Sequence, residues 1–168
     1  RRPDALDVLA DLLADPEPVT RIAAAQGLGD SGRPDASALL RFKLRTGDAQ
    51  PEVIATACES LLAVARGAAI EVVAALLAGG HAEVAALALA ESRLPEALGP
   101  LRAWIDRSLP AVRRRVGYLA LALTRAAHDE LLEIVLTCDR VDACAAAKAL
   151  ATFRDDPAVR DRLLAAAP

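Results

Sequence analysis

The stretch Asp15-Pro16-Glu17-Pro18-Val19-Thr20-Arg21-Ile22-Ala23-Ala24-Ala25-Gln26-Gly27-Leu28-Gly29-Asp30-Ser31-Gly32 decides how the whole chain is read. Its prolines mark a helix start, where a missing N–H would have no partner anyway, and Gly32 with Pro34 marks the stop. The segment from Thr20 to Leu28 aligns with Val53-Ile54-Ala55-Thr56-Ala57-Cys58-Glu59-Ser60-Leu61, with small residues at the same offsets. Weaker copies begin at Val84, Val112 and Asp142, so successive starts lie 33, 31, 28 and 30 residues apart. A period near 30 residues that holds two helices is the mark of an α-solenoid.

The rest of the chain follows the same rhythm. Apolar residues recur every three or four positions, as in Leu94, Leu98, Leu101, Ile105 and in Val112, Val116, Leu119, Leu123, without sustained alternation. Breakers such as Gly47 to Pro51, Gly79-Gly80, Pro95, Pro110 and Pro157 cut the chain into about eleven helices. The expected fold is all-α, a single solenoid domain over residues 1–168. A leading helix precedes five helix pairs, stacked right-handedly into a curved slab. Second helices at 35–46, 68–78, 95–107, 127–138 and 156–166 are expected to line its concave side. On the first helix of the fourth pair, Val112, Val116 and Leu119 are the expected core stripe.

Composition agrees with this. The 168 residues include 40 Ala and 27 Leu, while aromatics are 2%, so layers are expected to stack closely and a large aromatic pocket is excluded. The net charge of −3 argues against general affinity for nucleic acid or anionic membrane. Residues 93–125 depart from that average, with seven Arg against Glu96 and Asp106, which makes them a candidate contact surface.

The segment 15–32 resembles a HEAT repeat of the short, phycobilisome-lyase-like type, and Pro110-Ala111-Val112-Arg113 is similar to the same opening. The resemblance implies an α-α superhelix presenting an extended interaction surface, and its subtype implies a bilin-lyase relative as one alternative. The family often links repeats by Asp–Arg contacts. Here Arg at the Arg21 position recurs only as Arg113, with Ile54, Ala85 and Ala143 elsewhere, so a continuous ladder is not expected. Residues 1–15 look like the second helix of a truncated repeat. That helix would expose Leu6, Leu9 and Leu13 unless something covers them. The opening Arg1-Arg2-Pro3, without Met, points to an excised or processed segment.

Motifs for chemistry are weak. Gly27-Leu28-Gly29-Asp30-Ser31-Gly32 fits G-x-G-x-x-G, but a helix precedes it rather than a strand, so its glycines are read as a helix terminus and turn. Cys58, Cys138 and Cys144 show no CxxC spacing and are read as small buried hydrophobes in a reducing, cytoplasmic setting. The most apolar run, Ala68 to Gly80, is too short to span a bilayer. His81 and His128 stand alone and are expected to face solvent. Lys43 falls inside the stripe of Ala36, Leu39, Leu40 and Leu44 and is expected to bring its ammonium out to water. Trp104-Ile105-Asp106-Arg107-Ser108-Leu109-Pro110-Ala111-Val112-Arg113-Arg114 resembles the Trp-then-Val-Arg-Arg pattern of DNA-alkylation-repeat proteins. That likeness implies an aromatic cleft at Trp104, a carboxylate at Asp106 and basic residues holding damaged DNA.

The leading functional expectation is a non-catalytic scaffold that binds another protein, or another domain of its parent chain. Its expected contacts are Arg41, Lys43, Arg45, Arg102, Trp104 and Arg113, with Arg107 beside Trp104. No catalytic residue, cofactor, metal or small-molecule substrate is expected. The alternatives are a DNA-binding or glycosylase-like module and a bilin-lyase relative.

Overall fold

The computed structural model describes residues 4–105, 109–153 and 155–166, which form helices and turns and no strand. In chain order the helices are α1 (Ala5–Leu12), α2 (Pro18–Asp30), α3 (Ala36–Thr46), α4 (Pro51–Ala65), α5 (Ile70–Ala75) and α6 (Ala82–Glu91). Then come α7 (Leu98–Trp104), α8 (Ala111–Ala122), α9 (His128–Thr137), α10 (Arg140–Ala151) and α11 (Pro157–Ala166). Short 3₁₀ turns lead into α5, α7 and α9. Pro18 and Pro51 open α2 and α4, and Gly47, with φ of 77°, ends α3. The helical punctuation is therefore where the breakers place it. The structure divides into two compact units, Arg1–Leu94 and Pro95–Pro168.

In the first unit the first helices of successive pairs lie side by side, α2 on α4 and α4 on α6, while α3 packs on α4 and α5 on α6. Leu28, Leu40, Ile54, Leu61 and Leu89 are fully buried, each contributing about 2 kcal/mol of apolar transfer. Ala25, Ala57, Ala85 and Ala86 are buried between them and allow the close spacing. The closest approach is at Gly29, where an added Cβ would stand 2.7 Å from Ser60 Oγ on α4. Only Gly32 of the glycine motif has the left-handed backbone expected of a terminus, with φ of 61°, because Gly27 and Gly29 lie inside α2. Leu9 sits over Gly27, and Leu6 and Leu13 are buried, so the stripe of α1 is covered by its packing on α2.

The span Pro51–Ala78, 28 residues with a mean hydropathy of 2.0, is long and apolar enough by length and composition to cross a membrane. It is not one helix. Arg66, at φ 46° and ψ −127°, breaks it after α4. The inward face of α4, Val53, Ile54, Ala57, Cys58 and Leu61, is fully buried, and α4 packs on α2, α3 and α6.

In the second unit α7 packs on α8, α8 on α10, α10 on α9, and α9 on α11. Here the expected core stripe is overturned. Val112 is 66% exposed and Leu119 39%, whereas Gly117, Tyr118 and Leu121 face inward. The cause is a close approach. A Cβ at Gly117 would stand 2.5 Å from Ile105 Cγ1 and 3.6 Å from Trp104 Cζ3, so the glycine face, and not the valine face, turns toward α7. That rotation leaves an apolar stripe on the surface.

Candidate protein-binding surface

Charged side chains at the repeat starts are used structurally. Arg21, three residues into α2, grips Asp48 with both ends of its guanidinium, at 2.8 Å to each carboxylate oxygen. It also donates to the carbonyls of Asp15 and Pro16. Lys43 completes the cluster, with Nζ 2.6 Å from Asp48 Oδ2. Asp48 is only 4% exposed, and the Arg21 hydrogen bonds, reinforced by Lys43, hold its carboxyl far below the usual carboxylate range. The expectation that Lys43 snorkels to water is thus corrected. A buried carboxylate within reach gives the ammonium a stronger partner than solvent.

The same construction recurs in the second unit. Arg114, also three residues into its helix, donates from Nε to Asp142 Oδ1 at 2.8 Å and from Nη1 to the Leu109 carbonyl. The residue equivalent to Arg21 is therefore Arg114, not Arg113. Counting from the helix start reveals this, whereas aligning the apolar pattern places it one residue early.

The expected contacts are distributed over both units. On α3, Arg45 is exposed, and Arg41 donates from Nη2 to the Ala68 carbonyl at 2.7 Å. Both line an open groove of about 530 Å³ floored by Leu44, Val72, Ala75 and Leu76. Lys43 points away from this groove into the Asp48 cluster. In the second unit Arg102 of α7 pairs with Glu130 of α9 at 2.7 Å, and Arg113 is exposed on α8. Trp104 is buried, 8% exposed, with its ring beside Gly117, so it does not wall an open aromatic cleft. Asp106 and Arg107 lie outside the described residues.

The surface feature missed by sequence reasoning is the groove between α8 and α10. Val112, Val116, Leu119, Ala145 and Ala149 form its apolar part, with Arg115 and Lys148 at the rim, in a volume of about 420 Å³. It continues past Arg140, Val141 and Cys144. Arg115, Ala145 and Lys148 line both stretches, so the groove is continuous along the two helices. A corresponding groove between α4 and α6 in the first unit has the opposite character. It carries Glu59 and Glu91 with one cation, Arg66. Partial desolvation, helped by the Glu91 charge, raises the Glu59 carboxyl above its ordinary value.

The cysteines and His128 depart from their expected places. Cys58 is buried, and burial pushes its thiol up to about 12, but Cys138 is half-buried and Cys144 exposed, contrary to the reading of all three as core. His128, expected in solvent, is buried because its Nε2 donates to the Ala122 carbonyl at 2.8 Å and its ring stacks obliquely on Phe153. Among the described residues no group of three or more His, Cys, Asp or Glu is placed to hold a metal ion.

Residues 1–61, which span α1 to α3 and most of α4, match the family model for HEAT repeats. No curated protein matches the chain. HEAT repeats are in general protein-interaction scaffolds and non-catalytic. The paired helices, their 33-residue step from Asp15 to Asp48 and the Arg21–Asp48 link between successive pairs agree with that match, so HEAT repeats are recognised over residues 1–61.

Proposed function

We propose that this chain is a non-catalytic scaffold that binds another protein, or another part of its own parent chain, through grooves between its helix pairs. The observation that carries the reading is the α3–α5 groove, whose apolar floor is open and whose rim holds Arg41 and Arg45. An apolar floor with a cationic rim suits a protein surface that combines apolar anchors with carboxylates. Arg102 and Arg113 provide further contacts on the second unit, while Lys43 and Trp104 act in packing.

A photo-crosslinking amino acid placed at position 45 tests this. It is expected to trap a protein partner in cells, and binding of that partner, once purified, is expected to weaken about tenfold or more with Arg41→Glu and Arg45→Glu together. Unchanged affinity in the double variant would remove this groove from the interface. Salt-sensitive binding of duplex DNA, with no trapped protein, would replace the reading by a nucleic-acid one.

A further inference from the structure

We infer that the α8–α10 groove is a docking site for an acidic amphipathic helix of a partner protein. The inference rests on the scaffold reading and extends it to a second surface, with a partner of defined chemistry.

Three observations point to such an occupant. First, Val112, Val116 and Leu119 stand at intervals of four and three residues along α8, and two of them are well exposed, Val112 at 66% and Leu119 at 39%. An apolar row at that spacing matches the row of anchors on one face of a helix. Ala145 and Ala149 on the facing helix are short, which leaves depth for branched side chains between α8 and α10.

Second, the charges are of one sign. Arg115, Arg140 and Lys148 border the groove, no carboxylate lines it, and none of the three has an ion-pair partner among the described residues. Arg114 differs, since its guanidinium donates to Asp142 and to the Leu109 carbonyl: adjacent arginines on one helix serve the core link and the open rim. Unneutralised cations beside apolar surface favour a ligand that brings carboxylates along with its apolar anchors.

Third, the groove between α4 and α6 carries two carboxylates, Glu59 and Glu91, against the single cation Arg66, so its charge disfavours the same ligand. One chain thus carries its own control for charge selectivity. A phosphate backbone would satisfy the cations but leave Val112 and Leu119 uncovered, which favours a protein helix over nucleic acid.

The probe is a fluorescein-labelled amphipathic peptide with leucines along one helical face and glutamates on the other, titrated with the full chain by fluorescence anisotropy. Binding is expected, weakening as salt rises. Arg115→Glu with Lys148→Glu is expected to weaken it about tenfold or more, and Leu119→Asp, which keeps all three cations, to weaken it comparably. Glu59→Gln with Glu91→Gln, in the α4–α6 groove, should leave it unchanged. Circular dichroism checks that each variant is folded, and two independent surface changes guard against loss of one. A lysine-for-glutamate peptide should not bind.

Absence of peptide binding, or binding indifferent to both groove variants, overturns the inference. So does tighter binding of duplex DNA or anionic vesicles through the same residues, or concentration-dependent self-association abolished by Leu119→Asp. Each of these leaves the partner trapped at position 45 intact, whereas failure of the scaffold reading would show as no protein trapped at position 45.

Discussion

Asp48 shows how one side chain ties successive repeats together. It accepts from Arg21 and from the Gln50 N–H and lies 2.6 Å from the Lys43 ammonium, so its removal leaves two largely buried cationic side chains without a counter-ion. Asp48→Asn is expected to cost about 2 kcal/mol, between the value of an exposed pair and that of a fully buried one, measured by urea unfolding. The pH dependence has a definite sign. Because the folded carboxyl is held below its unfolded value of about 3.9, its contribution is complete above that pH and is lost as pH falls further. Between about pH 5 and pH 2 the parent should therefore lose more stability than Asp48→Asn. Equal losses in thermal melts would show that Asp48 does not drive acid sensitivity. Asp48 follows the legible Gly47 stop, but its main partner was not legible, since Arg21 lies 27 residues away on α2 and reaches it only once α2 packs on α4.

Helix rotation is decided by small residues at contact points. In α2, Gly29 lets the helix meet Ser60, where an added Cβ would be 2.8 Å from Ser60 Cβ and 3.1 Å from its Cα. Gly29→Ala would normally gain about 1 kcal/mol of helix propensity. Here overlap with α4 should reverse the sign, lowering stability by about 2 kcal/mol and the Tm by roughly 4–8 °C. Adding Ser60→Gly should recover part of the loss, and additive effects in that double-mutant cycle would refute the contact. Gly117 plays the corresponding part in α8. The valines of α8 have the periodicity of a core stripe, and nothing local distinguishes them from one. Only the approach of Ile105 and Trp104 to the glycine face selects the opposite rotation and leaves the valines outside.

Across the molecule, the two units differ in charge as well as in packing. The first carries 9 basic and 13 acidic residues and the second 11 and 10, which concentrates the cationic groove in the second. Stability in stacked repeats comes from neighbours on both sides, so α4, which packs on α2, α3 and α6, should be the most protected element of the first unit. Hydrogen exchange read by mass spectrometry is expected to show slow exchange in α4 and fast exchange in α1 and α11. Uniform protection would contradict nearest-neighbour stacking. The sequence by itself determined the all-α class, the helix boundaries and the repeat step, because prolines, glycines and apolar spacing act within a few residues along the chain. Tertiary structure decided which face of each helix is buried, that Arg114 rather than Arg113 reaches across to the next repeat, and that Lys43 and Trp104 pack inside while Val112 and Leu119 lie open. Those outcomes depend on side chains brought together across turns and between helices, from 5 residues apart for Lys43 and Asp48 to 28 for Arg114 and Asp142, where close packing rather than local propensity selects the arrangement.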